Sequence, residues 1–198
     1  MINKYITRDT LFPINGENAW EITGQLESII RHMIGSLGND YVVEGEVAIH
    51  KTATIAHNVT IKSPAIICEN CFVGANSYLR GGIFLAPNVK VGISCELKTT
   101  IVMEDSATAH FNFIGDSIIG HNVNIEAGAI LANHYNEREE KEVYVHIDGK
   151  RISTRLQKFG SLVGDGCRIG ANAVLSPGTL LQPNTIVKRL ELVEQDAQ

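Results

Sequence analysis

Hydrophobic residues recur every six positions from residue 43 onward, a spacing that fits neither an α-helix nor a simple β-strand. The series runs without a break through Val43, Ile49, Ile55, Ile61, Ile67, Val73, Leu79, Leu85, Val91, Leu97, Met103 and Ala109. Four positions after each of these comes a residue that is mostly small or branched, such as Ala53, Cys71 or Cys95. A hexapeptide repeat predicts a parallel β-helix, in which each unit forms one short strand and one corner.

The period slips once and is interrupted once. Two shortened units, 109–113 and 114–118, precede its return at Ile119, and residues 132–161 then leave the repeat. Within this excursion, Asp148-Gly149 is a hairpin signal. The repeat resumes with Val163, Ile169, Leu175, Leu181 and Val187. We therefore predict a β-helix over 43–188 with an excursion loop at 132–161, followed by a tail, 189–198, that is frayed or helical.

The first 42 residues lack the six-residue period. Apolar residues at helical spacing between Glu17 and Ile34, with Glu17 and Glu21 in the first turn, predict one amphipathic helix after an irregular arm. Gly35 and Gly38 end this helix. We expect it to cap the β-helix or to pack beside it, so that the fold is all-β with a short N-terminal helix, an appendage over 1–42.

Composition narrows the possible partners. The chain has 198 residues and a net charge of -5, which argues against nucleic acid or an anionic membrane as the main partner. It has no long apolar run and no charged leader, so we expect a soluble, cytoplasmic protein. Cys68 and Cys71 have metal-ligand spacing, but Cys71, Cys95 and Cys167 all fall at the small inward position of their units. We therefore predict no metal site.

Several segments of the chain resemble one branch of the left-handed β-helix acyltransferases. These segments are YLRGG (78–82), ELKTTIV (96–102), AHFNFIGDSIIG (109–120), NVNIEAGAI (122–130), GKRIS and KFGSLVGD. They resemble the acetyltransferase half of the bifunctional glucosamine-1-phosphate acetyltransferase/UDP-N-acetylglucosamine pyrophosphorylases and of the archaeal-type sugar-phosphate nucleotidylyltransferases. The resemblance implies a left-handed coil, acetyl-CoA as co-substrate, an amino-sugar phosphate as acceptor and a homotrimer. No Gly-rich phosphate loop with a basic residue precedes the repeats, so we expect no nucleotidyl transfer.

The same resemblance implies a set of site residues. His110 would be the general base, because acyl transfer to an amine needs a group that takes the ammonium proton. Asn124 and Asn133 would orient the substrates. The cofactor residues would be Ala127, Gly128 and Ala171, where small side chains let the thioester and pantetheine pass close to the backbone. The other six histidines are expected to have no catalytic role, and His121→Ala should be a near-neutral control.

Arg80 and Lys98 are predicted to bind the phosphate of the acceptor. Each directly follows the apolar residue that starts a hexapeptide, and the two lie eighteen residues apart, one coil of three units. Stacked cations on neighbouring strands repel each other. A bound dianion would turn this repulsion into attraction. A solvated basic stripe, extended by Lys62, is the alternative.

Two departures from the family pattern keep a second function open. Phe113 stands at a substrate-binding position where the family usually has Tyr, so a hydroxyl contact is lost. The segment 132–136 replaces one that brings a basic or hydroxyl-bearing residue near the sugar phosphate. These changes favour a different acceptor, or a non-catalytic partner subunit of a sugar-nucleotide pathway. The retained His110, Arg80 and Lys98 favour the enzyme.

Overall fold

A computed structural model describes residues 1–14 and 18–196 and shows a parallel β-helix preceded by short helices. A 3-10 helix, Ile2–Lys4, comes first, followed by α1 (Ala19–Gly24) and α2 (Leu26–Ile34). The strands are β1 (Tyr41–Glu44), β2 (Val47–His50), β3 (Thr54–Ile55), β4 (Thr60–Ile61), β5 (Ala65–Ile67), β6 (Phe72–Val73), β7 (Tyr78–Leu85), β8 (Lys90–Val91), β9 (Glu96–Val102), β10 (Ala107–Thr108), β11 (Phe113–Ile119), β12 (Asn124–Ile125), β13 (Ile130–Leu131), β14 (Tyr144–Ile147), β15 (Lys150–Ser153), β16 (Ser161–Val163), β17 (Arg168–Ile169), β18 (Val174–Leu175), β19 (Thr179–Leu181), β20 (Ile186–Val187) and β21 (Leu192–Val193).

The coils stack their strands into three faces. The first face holds β4, β13, β18, β21 and the first halves of β7, β9 and β11. The second face holds β2, β5, β16, β19 and the second halves of the same three long strands. The third face is the sheet of β3, β6, β8, β10, β12, β17 and β20. The predicted parallel β-helix is confirmed, and pairs such as Ile49 with Ile67 have the predicted spacing of one coil.

The slip in the repeat lies earlier than the sequence suggests. Val102 pairs with Leu85 and Thr108 pairs with Val91, so the inward series passes through Val102 and Thr108 rather than through Met103 and Ala109. The first shortened unit is therefore 97–101 rather than 109–113, whereas the predicted second one, 114–118, is confirmed, because Ile114 and Ile119 pair with Leu97 and Val102. The physical cause is a bulge in β7 at 81–82 that β9 and β11 lack. The hydrophobic pattern could not locate the slip, because adjacent residues such as Val102 and Met103 are both apolar and both buried.

The N-terminal residues cover the second face. Its outward side chains are buried, and they include Ile66, Phe84, Ile101, Ile118 and Leu162. Phe12 packs edge-on against Phe84, with 5.1 Å between ring centroids. Trp20 packs in the same way against Phe159, at 6.0 Å. Strands that are buried on both sides read as continuous apolar runs. The first and third faces remain open.

The predicted single helix is two helices, because the chain bends at Gln25, where φ is -112° and ψ is 5°. At this bend α2 comes close to β7: a Cβ added to Gly82 would lie 3.2 Å from the backbone nitrogen of Glu27. The N–H of Asn18 donates to the Glu21 carboxylate at 2.9 Å and closes the first turn of α1. The predicted start at Glu17 lies outside the described residues.

The C-terminal segment continues the β-helix rather than fraying or forming a helix. β21 pairs in parallel with β18, so the coil extends beyond residue 188. The excursion contains the expected hairpin, β14–β15, with Asp148 and Gly149 at its turn in the left-handed conformation. The carboxylate of Asp196 accepts hydrogen bonds from Arg138 and Arg151, both in the excursion. The tail therefore holds the excursion against the last coil.

Candidate functional site

His110 lies at the corner between the third face and the first face, which we call the His110 corner. The equivalent residues of the other coils are His57, Ala75, Ile93, Ala127, Ala171 and Arg189. Backbone hydrogen bonds link this column from coil to coil: the Gly128 N–H donates to the His110 carbonyl at 2.8 Å, and the Asn172 N–H donates to that of Ala127 at 3.0 Å. The fold thus brings His110, Ala127, Gly128 and Ala171 together in one column.

The side chain of His110 is exposed and has no hydrogen-bond partner within the described ranges. Its ring lies 6.5 Å from that of Phe111, which is itself 64% exposed. Phe111 has a φ of 55°, a conformation that bulky residues avoid. At this position the other coils carry mostly Asn, Ser or Gly, as in Asn76 and Ser94. Strained residues of this kind cluster at functional sites, and here one lies beside the exposed imidazole of His110.

Arg80 and Lys98 pair in register on neighbouring strands, so the predicted stacking is confirmed. Their charges, however, are already matched within the chain. Arg80 Nη2 lies 2.6 Å from Glu96 Oε1, and Lys98 Nζ lies 2.7 Å from Asp116 Oδ2. The uncompensated repulsion on which the argument for a bound dianion depended is therefore absent. A phosphate at this place would have to compete with two carboxylates.

Lys98 belongs to a mostly buried polar cluster with Thr99, Asp116 and Asn133. Its ammonium contacts both oxygens of Asp116, at 2.8 and 2.7 Å, and the hydroxyl of Thr99 at 3.3 Å. These contacts occupy all three of its donors. Asp116 also accepts a hydrogen bond from the side chain of Asn133. Arg80 differs, because only its Nε and Nη2 bind Glu96. Of the two cations, Arg80 therefore has the more available donors.

The remaining predicted residues lie on the first and third faces. Phe113 is half-buried on that face and close to Asn133, because a Cβ added to Gly115 would meet both side chains within 3 Å. Asn124 is exposed on the third face, near the His110 corner. Within one chain, the cluster of Lys98 and Asn133 is separated from His110 by the width of the first face, roughly 15 Å of extended strand. A single chain does not bring the predicted acceptor residues to the predicted base.

A groove of about 470 Å³ on the third face borders the His110 corner and includes Asn124, Glu126, Arg168, Lys188 and Arg189 among its lining residues. Glu126 and Arg189 form a two-pronged salt bridge, with both contacts at 2.8 Å. Glu126 also accepts the Ala171 N–H at 2.8 Å. The arginine first, and then this N–H, lower the pKa of Glu126. This pair was not predicted from the sequence. Counting in coils could have indicated it, because Glu126 directly precedes Ala127 and Arg189 lies two coils after Ala127.

His121→Ala is not the near-neutral control expected from the sequence. It is buried, with Nε2 2.7 Å from Glu104 Oε2 and Nδ1 3.0 Å from Asp165 Oδ1. Burial alone would raise the pKa of Asp165, but hydrogen bonds from Thr7 and His121 outweigh it and leave that pKa lowered. Replacing His121 would remove a partner from two mostly buried carboxylates, Glu104 and Asp165. His57, exposed at the same corner as His110, is the better control.

The cysteines behave as core residues. Burial raises the pKa of Cys68 to about 11 and that of Cys71 to about 12, so both thiols are protonated near neutral pH. Among residues 1–14 and 18–196, no three His, Cys, Asp or Glu side chains are grouped as metal ligands would be. In the same ranges, no helix has the length and apolar character needed to cross a membrane.

The stacked parallel strands and the six-residue period define a β-helix protein built from hexapeptides. Residues 64–92 and 162–187 match the family described as the hexapeptide repeat of succinyl-transferase. The chain belongs to the hexapeptide-repeat proteins.

Curated relatives include the bifunctional sugar-1-phosphate nucleotidylyltransferase/acetyltransferase of Sulfurisphaera tokodaii, 35% identical over 79% of this chain and 40% of that protein. The bifunctional protein GlmU of Methanococcus vannielii is 28% identical over 100% of this chain and 50% of its own length. This chain therefore spans half or less of either relative. Among solved structures, a putative acetyltransferase of Bacillus cereus aligns with 73% of this chain and 74% of its own, at 17% identity and a TM-score of 0.30.

Proposed function

We propose that the protein transfers an acetyl group from acetyl-CoA to the amine of an amino-sugar phosphate, with His110 as general base. The observation that carries this proposal is the column at the His110 corner, in which a free imidazole lies directly below Ala127 and Ala171. Small residues there leave the backbone open to a thin ligand such as pantetheine. The names of the curated relatives, which include a sugar-1-phosphate nucleotidylyltransferase/acetyltransferase, support this class of reaction.

The chemistry needs a base and a donor for the developing oxyanion. The acceptor amine attacks the thioester carbonyl, and His110 takes the proton that the nitrogen loses. The N–H of Gly128 is committed to the His110 carbonyl, but that of Ala127 has no partner within the described ranges. Ala127 is therefore our candidate donor to the thioester oxygen, an interaction of the type that usually contributes most to such reactions. Collapse of the intermediate forms the amide and releases CoA.

The acceptor site is proposed to lie between two copies of the chain in a homotrimer. The second face is covered by the N-terminal residues of the same chain, which leaves the first and third faces open on either side of His110. A neighbouring copy packed there would bring its own Arg80 towards this corner. Arg80 would then contact the phosphate, with Lys98, Asn133 and Phe113 forming the wall behind it, while Asn124 would contribute from the His110 side.

A non-catalytic partner subunit is the second candidate. Two observations favour it: the donors of Lys98 are all occupied by Asp116 and Thr99, and the Ala171 N–H is occupied by Glu126. A protein of this kind would retain the β-helix without turning over acetyl-CoA.

A thiol-release assay with acetyl-CoA and a panel of amino-sugar phosphates tests the proposal. We expect turnover with at least one acceptor, and His110→Ala should reduce it about 10²–10⁴-fold. The matched control is His57→Ala, an exposed histidine of the same corner three coils away, which should keep wild-type rates. Transfer by His110→Ala within about threefold of wild type would exclude it as the base. Wild-type protein that turns over no acceptor would favour the non-catalytic subunit.

A further inference from the structure

Glu126 is the one acidic residue in its column of the fold. It is the last residue of the third face before the His110 corner, and the equivalent residues of the six other coils are Ala56, Gly74, Gly92, Ala109, Gly170 and Lys188. The backbone is tightly packed in this column: a Cβ added to Gly170 would lie 2.5 Å from the Arg189 nitrogen, and one added to Gly74 would lie 2.5 Å from the Gly92 carbonyl carbon. Five of the coils therefore carry only a glycine or an alanine where this one carries a carboxylate.

The carboxylate of Glu126 holds two groups that differ in chemistry. One is the Ala171 N–H, a neutral donor at the His110 corner, at 2.8 Å. The other is the guanidinium of Arg189, two coils along from Glu126, which reaches both carboxylate oxygens. Arg168 and Lys188 line the same groove, so three cations and one anion meet there. Without Glu126, this surface would offer a backbone donor next to a strongly cationic patch.

Coenzyme A carries the matching groups in the same order. Its pantetheine arm contains amide carbonyls, which accept from a backbone N–H, and its nucleotide end carries phosphates, which pair well with arginine. We propose that Glu126 is an internal competitor for the acyl-CoA site: it occupies the Ala171 N–H and Arg189 until the coenzyme displaces it. This inference rests on the proposed function and adds Arg189 as a phosphate-binding residue.

The expected penalty is modest, because the ion pair is exposed. The side chain of Arg189 is 72% exposed and that of Glu126 36%. Exposed pairs of this kind are weak, so displacing the carboxylate should reduce the affinity for the coenzyme by no more than about fivefold. The competitor would therefore adjust affinity rather than abolish binding.

Two variants that break the same salt bridge give opposite predictions. Binding of CoA and of pantetheine is measured by titration calorimetry for the wild type, Glu126→Ala and Arg189→Ala. Glu126→Ala should bind both ligands more tightly, by about two- to fivefold. Arg189→Ala should bind CoA about three- to tenfold more weakly and leave pantetheine unchanged, because pantetheine lacks the phosphates. Glu46→Ala removes another exposed Glu–Arg pair, with Arg31, and should change neither affinity.

The outcomes separate this inference from the proposed function. If both variants shift CoA binding in the same direction, or if Glu126→Ala binds no more tightly, the bridge is only structural and the inference is wrong. If Arg189→Ala binds CoA as the wild type does, the assignment of Arg189 to phosphate falls, and the competitor role falls with it. If the wild type and all the variants bind neither CoA nor pantetheine, the proposed acetyltransferase is itself contradicted.

Discussion

At the scale of single residues, the burial of a charged side chain decides how much stability is lost when that side chain is removed. Arg80 and Lys98 are stacked neighbours, but the Arg80–Glu96 pair is about one third exposed on each side, whereas Lys98 and Asp116 are 18% and 11% exposed. Breaking a buried pair strands the remaining charge, which is far more costly than breaking an exposed one. The two cations therefore cannot be compared by alanine substitution alone.

Lys98→Ala should lower the free energy of unfolding by about 3 kcal/mol, because Asp116 is left buried without its cation. Arg80→Ala should lower it by less than about 1 kcal/mol. Urea denaturation of both variants measures the difference. Equal losses would show that the Lys98 cluster is not the closed network described above.

In the transfer assay, Arg80→Ala should raise the KM for the acceptor and leave that for acetyl-CoA nearly unchanged. The reverse result would assign Arg80 to the cofactor.

Sequence reasoning reached the backbone position of these residues but not their side-chain partners. Counting in coils placed Arg80 over Lys98, and the family motif singled out His110 at the corner. The ion-pair partners could not be predicted, because they depend on side-chain rotamers and on the length of the local coil. Asp116 follows Lys98 by eighteen residues, yet the coil there has seventeen, so Lys98 pairs with Gly115 and Asp116 reaches it from the adjoining corner.

At the scale of elements, the N-terminal arm and helices cover the outward side of the second face. The change of hydrophobic period at residue 43 was visible in the sequence, and so was a helix before it. The bend at Gln25 was not, because it arises from the close approach of α2 to Gly82, a contact between segments more than fifty residues apart. Helix propensity depends on the local segment alone, whereas this bend results from packing between distant segments.

Phe12→Ala should lower the free energy of unfolding by about 3–5 kcal/mol, since it empties a site packed against Phe84. Its neighbour provides the control: Phe12 is 1% exposed and Leu11 is 60% exposed. Leu11→Ala should stay within about 0.5 kcal/mol of wild type. Thermal and urea unfolding measure both. A small loss for Phe12→Ala would mean that the arm is not part of the cooperative core.

The contact between the tail and the excursion should be sensitive to acid. Hydrogen bonding from Arg151, with support from His146 and Arg138, lowers the pKa of Asp196 to about 2 despite the opposing effect of burial. The carboxylate therefore contributes stability above about pH 4, and this contribution, about 1–2 kcal/mol, is lost as the pH falls from 4 towards 2. Asp196→Asn should remove that part of the pH dependence. Asp148→Asn, an exposed partner of Lys4, should not.

At the scale of the whole molecule, the distribution of apolar surface limits how copies can pack. One face is covered from within the chain, while one outward row of the first face holds the exposed apolar residues Tyr78, Ile130 and Leu192, together with Glu96. Phe111 extends this row to the His110 corner. A cyclic assembly joins two different patches of each subunit, which suits a molecule with two open faces.

Ile130→Glu should therefore shift the proposed trimer towards monomer, because it places a charge among these apolar residues. Val42→Glu is the control, since Val42 is also exposed, at 52% against 40% for Ile130, but lies in β1, at the first coil. Light scattering at micromolar protein measures both masses. A monomeric wild type would contradict the trimer, and a trimeric Ile130→Glu would place the interface elsewhere.

A mixture of two impaired variants tests whether the site is shared between subunits. His110 and Arg80 lie at opposite edges of the first face, so one catalytic site would take His110 from one subunit and Arg80 from its neighbour. His110→Ala and Arg80→Ala, co-expressed in equal amounts, would form mixed trimers in which about a quarter of the sites combine both native residues. At acceptor concentrations where each variant alone is nearly inactive, the mixture should recover about a quarter of wild-type transfer. If the two residues serve a site within one subunit, no site is intact, and the mixture would transfer no faster than the average of the separate variants.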